Sequence, residues 1–66
     1  MITGQEATDI GRAYLLKNYN IAQVKKATQE NNNWILEFNV GMFQEKVMRL
    51  TINAEKGQVM KVEQVK

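Results

Sequence analysis

WILEFNV, residues 34–40, places an apolar side chain at every second position. Successive side chains of a β-strand point to opposite faces, so Trp34, Leu36, Phe38 and Val40 would share one face. Four such residues predict a strand that covers a hydrophobic core. We expect Trp34, at the end of this strand, to be half covered.

A second strand of the same period, residues 46–53, follows in the sequence. Core side chains must face core side chains, and a slip of one residue would turn every side chain to the wrong face. Antiparallel pairing of Phe38 with Met48 meets this condition. The same register gives three further pairs: Trp34 with Ile52, Leu36 with Leu50, and Glu37 with Arg49.

The last strand, 59–65, is joined to the preceding one by a turn that ends in Gly57. Facing apolar residues favour Ile52 opposite Met60 and Leu50 opposite Val62, which also places Glu63 beside Arg49. This register needs one extra residue, and we expect a β-bulge near Gly57, with that glycine in a left-handed conformation.

Residues 22–30 form a weaker candidate strand. If Val24 pairs with Phe38, Lys25 falls beside Glu37. The outer face of the sheet would then carry a ladder of alternating charge, which favours this register because opposite charges attract across strands. The predicted ladder contains Lys25, Glu37, Arg49 and Glu63.

A helix should precede the strands, because Thr3-Gly4-Gln5-Glu6 has the pattern of a capping box and helical spacing follows it. Gly11 in its middle indicates close packing, and the helix should end around residues 17–20. The sequence therefore predicts one α+β domain, 1–66, with an N-terminal helix on one face of a four-stranded antiparallel meander (order 1-2-3-4). The other face stays open.

Composition limits the chemistry of this chain. Its 66 residues include no Cys, His or Ser, which excludes disulfides, ordinary zinc sites and Ser or Cys nucleophiles. We therefore expect no catalytic residue, metal or cofactor. The N-terminus lacks a secretory signal and no stretch could span a bilayer, so we expect a cytoplasmic protein that binds no membrane.

The last hairpin carries a family pattern. Residues 52–59, INAEKGQV, together with Glu6-Ala7 at the helix start and the strand 34–40, resemble the PepSY domain family. Asn53 stands where that family usually has aspartate, Lys56 where threonine is usual, and the family's typical secretion signal or membrane segment is missing. The resemblance implies one helix before an antiparallel sheet, no catalytic residue, and a protein partner, which in the most specific case is a peptidase that the domain restrains.

Candidate contact residues are the apolar side chains that the predicted core does not use. Met42 and Phe43 lie in a hairpin loop, which either folds over the end of the helix or forms a contact patch. The outer face adds Ile35, Val47 and Val59. We predict that these residues bind a protein partner or a second copy of the chain.

The alternative is a nucleic-acid-binding accessory protein. Its basis is a set of cations with aromatic residues between them: Lys25, Lys26, Lys46, Arg49 and Lys61, with Trp34 and Phe43. Phosphate binding needs net positive potential, however, and carboxylates are spread among these cations. The net charge is only +2, so we expect nucleic acid to be an unlikely partner.

Overall fold

The computed structural model describes residues 1–65, which form one helix and four strands joined by loops and turns. They are α1 (Gly4–Leu15), β1 (Gln23–Glu30), β2 (Asn33–Asn39), β3 (Val47–Asn53) and β4 (Val59–Val65). The strands form an antiparallel sheet of order β1-β2-β3-β4, and α1 packs against one face of it. The predicted α+β fold is confirmed; Lys66, the last residue of the predicted domain, lies outside the described residues.

The helix begins as predicted. The Thr3 hydroxyl accepts a hydrogen bond from the Glu6 amide (3.1 Å), and the Thr3 amide donates to the Glu6 carboxylate (2.8 Å). It ends at Leu15, two residues before the predicted end, because the amides of Asn18 and Tyr19 both donate to the Leu15 carbonyl and close a turn. Within residues 1–65, no helix is long and apolar enough to cross a membrane.

Gly11 is the point where the helix approaches the sheet most closely. A Cβ atom there would lie 2.8 Å from a ring carbon of Phe38, closer than side chains tolerate. The absence of a side chain lets α1 settle onto the core of the sheet. That core consists of fully or nearly buried apolar side chains: Ala7, Leu15, Ala22, Leu36, Phe38, Val40, Leu50 and Ile52.

The register of the central hairpin, β2 with β3, is confirmed at every predicted pair. The β1 register is only partly confirmed. Val24 does oppose Phe38, but a bulge follows, so Lys26 rather than Lys25 lies beside Glu37. Lys25 is the extra residue of the bulge, and its ammonium pairs with Glu45 instead. The charge ladder therefore runs Lys26, Glu37, Arg49, Glu63.

The last hairpin contains a second correction. Val59, not Met60, lies opposite Ile52, and the bulge falls at Met60 within β4 instead of near Gly57. The turn explains this, because the Asn53 amide donates to the Gln58 carbonyl (2.8 Å) and makes Val59 the next residue to pair. The bulge then restores the predicted pairs of Leu50 with Val62 and Arg49 with Glu63.

The turn itself depends on two residues. Gly57 has a left-handed φ of 67°, as predicted, which glycine adopts without steric cost. The Asn53 side-chain oxygen accepts hydrogen bonds from the amides of Glu55 and Lys56, each 2.9 Å long. An amide oxygen thus supplies the acceptor that an aspartate carboxylate would supply at this position.

Candidate functional site

The loop between β2 and β3, residues 40–46, is closed by hydrogen bonds at its base. The Val40 amide donates to the Lys46 carbonyl (2.8 Å). The Asn39 side-chain oxygen accepts from the amides of Gly41 (3.1 Å) and Lys46 (3.2 Å). One asparagine therefore joins both ends of the β2–β3 loop and fixes where its tip projects.

Gly41 gives this loop its tight curvature. A Cβ atom on Gly41 would lie 1.7 Å from the backbone oxygen of Gln44, well inside van der Waals contact. Space, and not a left-handed φ, is the reason that this position holds glycine. The chain reverses here because Gly41 leaves room for the Gln44 carbonyl.

Side chains from the rest of the fold hold the flanks of the β2–β3 loop. The side-chain amide nitrogen of Asn20 lies 3.7 Å from the Met42 sulfur, and Lys25 of β1 forms an ion pair with Glu45. The Lys46 ammonium lies 5.1 Å from the centre of the Tyr19 ring, within cation–π range. The loop is thereby tied to β1 and to the segment that follows α1.

Phe43 lies at the tip of the loop and is 97% exposed, while Met42 is 59% exposed. Of the two predicted alternatives, folding of the loop over the end of the helix therefore does not apply to Phe43, although Met42 and Lys46 contact the segment that follows α1; a contact patch stays a prediction. Burial of a phenylalanine side chain contributes about 1.5–3 kcal/mol, and here none of that free energy is gained within the chain. Phe43 is thus available as an apolar anchor for another molecule.

The open face of the sheet is a shallow concavity of about 370 Å³, and charged side chains dominate it. The Arg49 guanidinium lies between two carboxylates, 3.3 Å from Glu37 and 3.8 Å from Glu63. Lys61 lies 3.9 Å from Glu63 on the same face. These four charges pair with one another, and the lining of this face carries three cations and three carboxylates, so their charges balance.

The five predicted contact residues do not form one patch. Ile35 and Val47 both lie on the open face, but the row that pairs Glu37 with Arg49 separates them. Val59 is on the opposite face, because it pairs with the buried Ile52 and packs against the core, so its predicted outward position is wrong. Met42 and Phe43 are the two that remain together.

The predicted nucleic-acid surface is also dispersed. Lys25 and Arg49 are engaged by carboxylates, and Lys46 lies over the Tyr19 ring. Trp34 offers no free stacking platform, because its ring lies against Gly4 and its indole N–H donates to the Ile2 carbonyl (3.1 Å). Phe43, the second aromatic residue of this set, is exposed at the tip of the β2–β3 loop, where Lys25 and Lys46 at the flanks are engaged by Glu45 and Tyr19.

One apolar surface was not predicted from the sequence. A groove of about 310 Å³ runs between α1 and β4, lined by Ile10, Ala13, Tyr14, Lys17 and Val59. It exists because α1 packs on β1, β2 and β3, and β4 projects beyond it. Val59 was a sign of this groove in the sequence. Its apolar side chain can be assigned to the helix side of the sheet, however, only when the hydrogen bonds of the turn are known.

No protein-family model, curated protein or solved structure matches the chain. The resemblance to the PepSY family therefore rests on the motif residues alone. Among residues 1–65, no three His, Cys, Asp or Glu side chains are grouped as metal ligands would be.

Proposed function

We propose that this chain is a small, non-enzymatic interaction module that binds a protein partner through the β2–β3 loop. The observation that carries the proposal is the position of Phe43, which is 97% exposed at the tip of a loop whose base is closed by hydrogen bonds. Met42 beside it adds a second, flexible apolar contact. Aromatic residues and methionine are enriched in the cores of protein interfaces.

The loop's internal hydrogen bonds favour binding. Ordering a loop on association costs free energy, and a loop already held in shape avoids much of that cost. Asn39 and Gly41 fix the backbone, while Lys25 and Asn20 hold the flanks. An anchor presented in this way contributes most of its burial energy to affinity, as a hot-spot residue does.

Replacement of Phe43 with serine tests this proposal. We expect Phe43→Ser to fold normally and to lose at least about tenfold in partner affinity, because about 1.5–3 kcal/mol of burial is removed. The measurement is affinity capture from native lysate with wild type and variant as matched baits. Gln44→Ser, the same new residue at the neighbouring loop position, should capture the wild-type set of proteins. Equal capture by Phe43→Ser would refute the role of the loop.

The resemblance to the PepSY family supplies a partner class, namely a thermolysin-like peptidase. Wild type and Phe43→Ser also test this class of partner in an inhibition assay. Wild type should inhibit such a peptidase in a titration, and Phe43→Ser should inhibit the peptidase at least about tenfold less well. No inhibition at high micromolar wild-type protein would remove this class of partner. Lysate capture would then still decide the broader proposal.

A further inference from the structure

Among residues 1–65, no strand pairs with the outer edge of β4, the last strand of the sheet. Its seven residues contain neither proline nor glycine, residues 61–65 pair regularly with β3 beyond the bulge at Met60, and α1 packs mainly on β1, β2 and β3. Val62 and Met60 are 36% and 59% exposed. An edge strand of this kind presents a row of unpaired backbone groups beside apolar side chains, which is a template for strand addition.

Both edge strands contain a bulge, at Lys25 in β1 and at Met60 in β4, but the β1 edge carries more positive charge. It carries consecutive lysines, Lys25 and Lys26, and the first of them sits in a bulge. Lysines and bulges on an edge strand both discourage intermolecular pairing. The helix also packs against β1. β4 is therefore the less protected of the two edges and the one at which strand addition is expected.

We infer that β4 pairs antiparallel with β4 of a second copy of this chain, about a two-fold axis at Val62. In that register Val62 of each copy lies opposite Val62 of the other. Lys61 of one copy lies opposite Glu63 of the other, twice over, on the open face. Opposite charges directly across antiparallel strands stabilise the pair, and the arrangement closes on itself as an isologous dimer.

Charge selects this register from its neighbours. An axis at Lys61 would set two lysines opposite each other, and an axis at Glu63 would set two glutamates opposite each other; both arrangements repel. An axis at Val62 satisfies both charges and brings together the two exposed valines. Glu63 also lies within 3.8 Å of Arg49 and 3.9 Å of Lys61 in its own chain, so the partner's lysine would extend an existing network.

A charge-swap experiment tests the pairing by sedimentation equilibrium. Wild type should reach a mass near twice 7.6 kDa at high micromolar concentration. Lys61→Glu and Glu63→Lys should each remain monomeric, because each places like charges opposite each other twice. An equimolar mixture of the two variants should form a heterodimer, because every facing pair is then of opposite sign.

Several outcomes would overturn the inference: a monomeric wild type, single variants that dimerise as wild type does, or a mixture that stays monomeric although circular dichroism shows both variants folded. Phe43→Ser separates this surface from the loop and should dimerise like wild type. If Phe43→Ser were monomeric, the dimer would be held by the β2–β3 loop and the β4 assignment would be wrong. The proposed function does not depend on the dimer, so either can fail alone.

Discussion

A Phe38→Ala variant is expected to be largely unfolded in water at 25 °C, whereas Phe43→Ala should keep the wild-type stability. The chain has two phenylalanines, and they occupy opposite environments. Phe38 is 0% exposed and Phe43 is 97% exposed. Phe38→Ala therefore measures how much the buried ring contributes to stability. Phe43→Ala, the same substitution at an exposed position, is its matched control.

The size of the effect follows from the size of the domain. A core of fewer than about 70 residues rarely supplies more than about 3–5 kcal/mol of stability. Removal of a buried phenylalanine side chain costs about 3–5 kcal/mol, because contacts are lost and a cavity remains. In this chain the Phe38 ring lies against Gly11, which has no side chain that could fill the space.

Circular dichroism during urea titration measures both variants. Phe43→Ala should unfold within about 0.5 kcal/mol of wild type, as surface substitutions do. A cooperative transition for Phe38→Ala within about 1 kcal/mol of wild type would contradict the core described here. So would equal destabilisation by the two substitutions, because it would place Phe43 in a folded contact.

Gly41→Ala is expected to weaken partner binding as strongly as Phe43→Ser, by at least about tenfold, although Gly41 offers no side chain to a partner. The new Cβ atom would lie 1.7 Å from the Gln44 oxygen and 3.0 Å from the Lys46 nitrogen. Both are backbone atoms, so the loop must change shape to relieve the overlap. The Asn39 hydrogen bonds and the direction in which Phe43 points would change with it.

Gln44→Ala is the matched control for Gly41→Ala, since it makes the same new residue at an exposed position of the same loop. Lysate capture should show wild-type binding for Gln44→Ala and at least about tenfold weaker binding for Gly41→Ala. Unchanged capture by Gly41→Ala would show that the shape of the loop does not matter to the partner. A partner held by the open face or by β4 would give that result.

The central hairpin could be predicted from sequence because two independent constraints agree there. Leu36 opposite Leu50 requires the core register, and Glu37 opposite Arg49 requires the same register on the other face. A slip would violate both at once. The start of the helix was readable for a similar reason, since Thr3 and Glu6 each satisfy a backbone amide of the other.

The two edge strands were less predictable because bulges set their registers. At Lys25 and at Met60 one residue is added to the strand, and side-chain periodicity alone does not show which residue is extra. In β4 the decision is made by backbone hydrogen bonds of the turn, in which Asn53 pairs with Gln58. Such bonds involve atoms that every residue shares, so the sequence carries little signal for them.

The candidate site, too, could be predicted from the sequence only in part. The apolar pair Met42 and Phe43 was identifiable because no partner for it could be found in the predicted core. Its projecting position depends on Asn39 and Gly41, whose roles appear only in three dimensions. The α1–β4 groove depends on the lateral position of the helix over the sheet, and the apolar face of a helix does not determine that position.

Photo-crosslinking from position 43 is the measurement that tests most directly whether the β2–β3 loop binds a protein partner. The photoreactive analogue p-benzoylphenylalanine would replace Phe43 in one protein and the exposed Lys56 of the distant 54–57 turn in another. In native lysate, we expect a discrete crosslinked product from position 43 that excess wild-type protein competes away, and no such product from position 56. No discrete product from position 43, or the same products from both positions, would contradict the proposed function.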